Sequence, residues 1–240
     1  MAAVILHGII INVIDYDVYD QIITILLPSN LKIALISKGS RKILSKNGRL
    51  ISILNQVEVS CFLANDVNNI SKLKKIESCV SFDWNYLSNQ AWQIYLDYLA
   101  KAPEVKQDFY SFYFALNDMI KSNIAENVCV CYVYRLIFED LGLYFNFAKC
   151  IVCGKNIIHI LSTELCSVVC KWCNPYHEVS YPQWFLLNFY YFMKHQDHKI
   201  KFNHEDEALF FYNTIKEILR KLLLIHGGYG KYKKGENNED

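Results

Sequence analysis

The spacing of apolar residues changes period once along this chain, and that change constrains the fold more than any single motif. Up to about residue 64 the pattern is that of strands. "VILHGIIINVI" and "QIITILL" are rich in Ile and Val, and "LKIALIS" and "LISILNQVEVSCFLA" continue the run with polar interruptions. Gly39, Asn47, Gly48 and the "LPSN" stretch mark turns between them. Four or five short strands with no helix among them predict a small antiparallel barrel or sandwich.

From about Trp84 the period becomes helical. "NYLSNQAWQIYLDYLAKA" sets Leu87, Ala91, Ile94, Tyr95 and Tyr98 near one face, and Pro103 ends it. "KQDFYSFYFALNDMIKSN" and "ENVCVCYVYRLIFEDLGLYF" predict two further helices, the second stopping at Gly142. "YPQWFLLNFYYFMKHQ" and "HEDEALFFYNTIKEILRKLLLIHG" predict two more. The expected class is therefore α+β with more than one domain. A β-domain over residues 1–80 precedes a helical domain over 81–240, with an insert at about 148–176. The closing "KYKKGENNED" lacks apolar residues and is expected to fray.

The insert is defined by cysteines. Cys150-x2-Cys153 and Cys170-x2-Cys173 are separated by sixteen residues. A two-residue gap lets two thiolates leave one turn toward the same ion, and two such knuckles complete the tetrahedral sulfur set that Zn²⁺ prefers. A closed four-sulfur set keeps no position for water, so the expected role is structural, although other thiophilic ions accept the same ligands. Cys166 is a fifth thiol that could replace one of the four. Cys61, Cys79, Cys129 and Cys131 read as core. His195, His198 and His204 read as a solvated helix end and loop, not as a second metal site.

Charge is concentrated in one place. Residues 1–78 carry 9 basic and 6 acidic residues, a net of +3, while residues 79–240 carry 16 and 18, a net of −2. Lys32, Lys38, Arg41, Lys42, Lys46 and Arg49 fall where no acid occurs between Gln21 and Val57. Such a patch attracts a polyanion through phosphate contacts that carry no sequence information and weaken with salt. Beside a small barrel it is the arrangement that grips single strands, with Tyr16, Tyr19 and Phe62 as stacking candidates. The bland alternative is a solvated surface loop.

The order of these parts resembles the RecO family of bacterial recombination mediators. The resemblance is carried by "HGIIINVIDYDVYDQIITILL", by "KGSRK" with Ser45 after it, by "YRLIFEDLGLYFNFAKCIVCGKN" and by "LCSVVCKWCN". The glycine usual in that family's turn near Asn30 is missing. The resemblance implies an N-terminal OB-fold that binds single- and double-stranded DNA, followed by the helical domain with its four-cysteine zinc knuckle. It further implies annealing of complementary strands, and help in loading RecA onto DNA coated by single-strand-binding protein, with RecR as partner. The acidic tail of single-strand-binding protein would dock beside Arg135. The residues alone read Arg135 equally as the i, i+4 partner of Glu139.

Competing functions are a zinc-stabilised interaction scaffold that does not touch DNA, and an enzyme. The chain has no Gly-Lys-Ser/Thr phosphate loop, no HExxH and no nucleophile elbow. With no apolar run of membrane-spanning length and no basic segment ahead of the apolar start, the expected location is the cytosol, and the resemblance implies a bacterial one.

Overall fold

The computed structural model describes residues 3–64, 70–156, 160–174 and 178–227. The closing basic and acidic segment and parts of the cysteine insert (157–159 and 175–176) lie outside the described residues. Five strands close into a barrel in the order β1-β2-β3-β5-β4. They are β1 (Val4–Asp15), β2 (Gln21–Leu26), β3 (Lys32–Ser37), β4 (Gln56–Phe62) and β5 (Ser71–Val80). All pairings are antiparallel except that of β3 with β5. This is the five-stranded OB arrangement, and closure leaves few strand edges unpaired. Ile10, Ile23, Ile25, Leu35, Val57, Val59, Leu73 and Ile76 fill it.

Two details depart from the sequence reading. The fourth strand begins at Gln56, not near Leu50, because Gly48–Leu50 makes a short 3-10 turn and Leu54 takes φ +66. The strand β5 was not read from the sequence. Lys74 is an extra residue there: Lys75 pairs with Ser60 and Leu73 with Cys61, and this bulge breaks the alternation of apolar residues.

The chain divides into two compact units, Met1–Ile124 and Ala125–Asp240. The change of period near Trp84 therefore falls inside the first unit, where α1 (Gln90–Lys101) and α2 (Phe109–Lys121) accompany the barrel. Trp92, Tyr95, Phe109 and Tyr113 are buried together, and Tyr113 Oη donates to Leu54 O of the barrel at 2.9 Å. Asp108 caps α2 by accepting from Ser111 N at 2.9 Å. Asn30 sits at φ +62 where the resemblance calls for glycine, a conformation Asn tolerates, and its side chain accepts from Tyr110 N at 2.9 Å.

The second unit holds α3 (Glu126–Asp140), the hairpin β6 (Ile160–Ser162) and β7 (Ser167–Val169), α4 (Gln183–Met193) and α5 (Glu205–Ile225). The first of these helices ends as expected. Gly142 at φ +70 donates to Glu139 O, and Leu143 N donates to Phe138 O at 3.0 Å, the Schellman pattern. Phe185, Phe189, Phe192 and Phe211 are fully buried and form the aromatic core. Among the described residues no helix is long and apolar enough to cross a membrane.

Candidate functional site

The connection from β3 to β4 carries the basic stretch, and hydrogen bonds tie it down along its length. Gly39, at φ +66, donates its N–H to the Asp20 carboxylate at 2.7 Å, and Arg41 N donates to Tyr19 O at 3.0 Å. Ser45, the serine of the resemblance, has a structural part: its hydroxyl accepts from Gly48 N at 3.1 Å. Asn47 reaches β5, where its carbonyl oxygen accepts from Ile76 N at 3.1 Å. A Cβ on Gly48 would meet Ser40 O at 1.9 Å, so the two sides of the loop close only around glycine.

Lys38, Arg41, Lys42, Lys46 and Arg49 are all exposed on this loop. Their field is less one-sided than the sequence implied. The β1–β2 turn lies against the loop and brings acids that are remote in its local sequence. Arg41 pairs with Asp15 at 3.3 Å and donates to Asp17 O at 3.3 Å. Lys42 sits over the Tyr19 ring, 5.3 Å from its centroid.

Lys32 stands apart from the other five. Its ammonium donates to Leu99 O at 2.9 Å and to Ala102 O, capping the C-terminal carbonyls of α1. That charge is engaged at the helix end. Two further cations, Lys72 and Lys74, are exposed on β5. Lys72 pairs in register with Ile36 of β3, and Lys74 O accepts from the Asn47 side chain at 3.4 Å. The run "SKLKK" was the available signal.

The four knuckle cysteines converge as their spacing predicts. The Sγ atoms of Cys150, Cys153, Cys170 and Cys173 all lie within 4.8 Å of one another, and Cys153 Sγ is 3.7 Å from Cys170 Sγ. A tetrahedral Zn–S₄ site with bonds of about 2.3 Å has sulfur–sulfur edges of about 3.8 Å. Gly154 N donates to Cys150 O at 2.8 Å and Cys173 N to Cys170 O at 3.0 Å, so each pair sits on its own tight turn. Burial pushes the Cys150 thiol up, but backbone N–H groups of Cys170, Cys153 and Val152 overcome this and bring it down to about 6. Hydrogen bonds to Cys170 and Cys153 hold the Cys173 proton and push that thiol up to about 12. Thiols crowded this way ionise together only around a cation, so the donor set fits a thiophilic divalent ion. Cys166 is not in the group: it sits at φ +47 and its thiol donates to Tyr144 O at 3.2 Å.

Arg135 is buried, with 7% of its surface exposed, between the rings of Tyr132 and Phe192 at 4.6 and 4.5 Å. Its guanidinium donates to Phe192 O at 2.6 Å and pairs with Asp197 at 3.1 Å. The expected i, i+4 partner is engaged elsewhere, since Glu139 accepts from His195 at 2.6 Å.

Residues 1–82 match the family model described as Recombination protein O N terminal. The DNA repair protein RecO of Mycoplasma mycoides subsp. mycoides SC is 33% identical over 185 residues, which cover 70% of this chain and 71% of that protein. The chain belongs to the RecO family. The DNA repair protein RecO of Mycoplasma capricolum subsp. capricolum is 31% identical over 183 residues, with 70% and 71% covered. That of Mesoplasma florum is 26% identical over 165 residues, with 65% and 60% covered.

In this RecO-family chain, then, the candidate site has two separate parts. One is the barrel loop with its exposed cations, on the segment that the family model matches. The other is the four-cysteine cluster of the second unit, which Val169 and Ile160 back with a small apolar core.

Proposed function

We propose that this RecO-family chain is a non-enzymatic recombination mediator in the bacterial cytoplasm. It binds single- and double-stranded DNA through the barrel, anneals complementary strands and helps load RecA onto DNA coated by single-strand-binding protein. The observation that carries this reading is the pinned β3–β4 loop with Lys38, Arg41, Lys42, Lys46 and Arg49 exposed. Annealing needs no bond to be made or broken. Cations placed between two strands lower their phosphate repulsion, and base pairing does the rest. Lys72 and Lys74 extend the cationic surface along β5. Arg41 contributes less than its charge because Asp15 already neutralises part of it.

In this reading the ion held by Cys150, Cys153, Cys170 and Cys173 is Zn²⁺ and its role is to keep the insert folded. For the acidic-apolar tail of single-strand-binding protein, the second unit offers a groove of about 520 Å³. It is lined by Trp184, Leu187, Tyr191, His198, Lys199 and Lys201. Its aromatic and cationic lining suits that chemistry. Arg135, whose guanidinium is committed to Asp197, would position the adjoining His198–Lys199 turn and would not itself touch the tail. RecR is expected as a further partner.

A strand-annealing assay, run with bare oligonucleotides and with strands coated by single-strand-binding protein, tests the reading. Faster annealing of both substrates is expected. No acceleration of either, with the protein folded and metal-loaded, would favour a scaffold that does not touch DNA.

A further inference from the structure

The tip of the basic loop is apolar. Ser45 N donates to Lys42 O at 2.9 Å, which makes Ile43 and Leu44 the two corner residues of a turn. Turn corners usually hold Gly, Pro, Asn, Asp or Ser. Here Ile43 is 92% and Leu44 83% exposed, the two highest values for large hydrophobic side chains among the described residues. Single exposed apolar residues are ordinary, but two adjacent ones at a corner keep water on both side chains. The loop cannot fold back to shelter them. Its near side is tied to Asp20 and Tyr19, its far side to Ile76 through Asn47, and Gly48 passes against Ser40.

The surroundings identify what covers the pair. Lys42 precedes it and Lys46 follows it, and Lys38, Arg41 and Arg49 are exposed on the same loop. The occupant is therefore anionic next to where it is apolar. Tyr16 and Tyr19 are also exposed on the adjoining β1–β2 turn, so apolar side chains and rings alternate with cations over a few residues, which suits stacked bases between phosphates more than a stable lipid anchor. A nucleic acid alternates phosphate charge with flat apolar base faces at the scale of one turn. We propose that Ile43 and Leu44 form a wedge that enters a base step of the bound DNA strand while Lys42 and Lys46 hold the flanking phosphates. The proposal rests on the DNA-binding reading above and adds the bases to what the loop touches. Wedges of Ile, Leu or Phe between base steps unstack them at some cost and gain contact in return.

The test uses the full chain and a single-stranded oligonucleotide carrying one 2-aminopurine, whose fluorescence rises when it unstacks. Wild type is compared with Ile43→Ser/Leu44→Ser and with Lys42→Ala/Lys46→Ala over a range of salt. The wedge predicts enhanced fluorescence with wild type. The serine variant should lose most of that signal and bind about 10-fold more weakly, with its salt slope unchanged because no charge is removed. The alanine variant should instead show a shallower slope. If the serine variant matches wild type in affinity and fluorescence while both bind DNA, the wedge is wrong and phosphate gripping stands. If wild type shows no salt-dependent binding, both fall. Phosphatidylglycerol-containing vesicles form the second arm: binding to them that the serine change abolishes, with DNA binding intact, overturns the proposal in favour of a lipid surface.

Discussion

Replacing Cys170 by Ser should unfold the insert locally and leave the rest of the chain standing. Cys170 is 1% exposed, its sulfur lies 3.7 Å from that of Cys153, and its carbonyl accepts from Cys173 N, so it belongs to both halves of the site. The hairpin it supports is small: β6 and β7 have three residues each. Burying Ile160 and Val169 contributes about 3–6 kcal/mol together. Fixing the backbone of the six strand residues costs about 6–12 kcal/mol, and an isolated two-stranded hairpin is marginal in water. A structural zinc site supplies about 10–16 kcal/mol, enough to reverse the balance. Metal content by elemental analysis should fall from one ion per chain to near none. Hydrogen exchange read by mass spectrometry should show at least a 100-fold loss of protection over residues 160–169, which corresponds to about 2.7 kcal/mol. Cys166→Ser is the control, since Cys166 lies outside the cluster, and it should keep both metal and protection. Full metal content with unchanged protection in Cys170→Ser would refute the reasoning, as would loss of both in the control.

Three further outcomes follow from named contacts. Arg135→Ala removes a buried cation from Asp197 and the Phe192 carbonyl and should cost about 1.5–3 kcal/mol in chemical denaturation, since Asp197 is partly exposed and rehydrates; a cost below about 1 kcal/mol contradicts the burial argument. Lys32→Ala should lower stability by about 1 kcal/mol through the lost cap on α1, yet leave the salt slope of DNA binding as it is, and a shallower slope would return Lys32 to the interface. Asp108→Ala should cost about 1 kcal/mol at neutral pH. The folded pKa of Asp108 is held below 3.8 by its hydrogen bonds to Ser111 and then to Asn30, so this contribution is present above 3.8 and disappears as pH falls through the lower folded value. A difference between variant and wild type that persists unchanged in acid would show that the carboxylate charge is not what caps the helix.

What the sequence disclosed depended on how local the cause was. Ile- and Val-rich runs disclosed β1 to β3, because those residues fill a closed barrel from consecutive hairpins. The paired cysteines disclosed the four-sulfur cluster, because two-residue spacing already fixes each half. The bulge at Lys74 hid β5, since it removes the alternation by which a strand is recognised. Long-range pairing hid the partners of charges. The basic loop looked unopposed until the fold set the Asp15 and Asp20 carboxylates of the neighbouring turn against it. Helical spacing offered Glu139 to Arg135, but a carboxylate 62 residues away took that place. Nothing in the local sequence singled out Ile43 and Leu44; the loop's hydrogen bonds fix them at a corner in water.

The salt dependence of oligonucleotide binding reads phosphate gripping by the barrel loop most directly. Each phosphate contact on a single strand contributes about −0.7 to the slope of log K against log salt. Wild type should show a steep negative slope. Lys38→Ala/Arg41→Ala/Lys42→Ala should show a slope shallower by up to about 2, the shortfall from the full value measuring what Asp15 withholds at Arg41. An identical slope for the triple variant and wild type would contradict phosphate gripping by the loop.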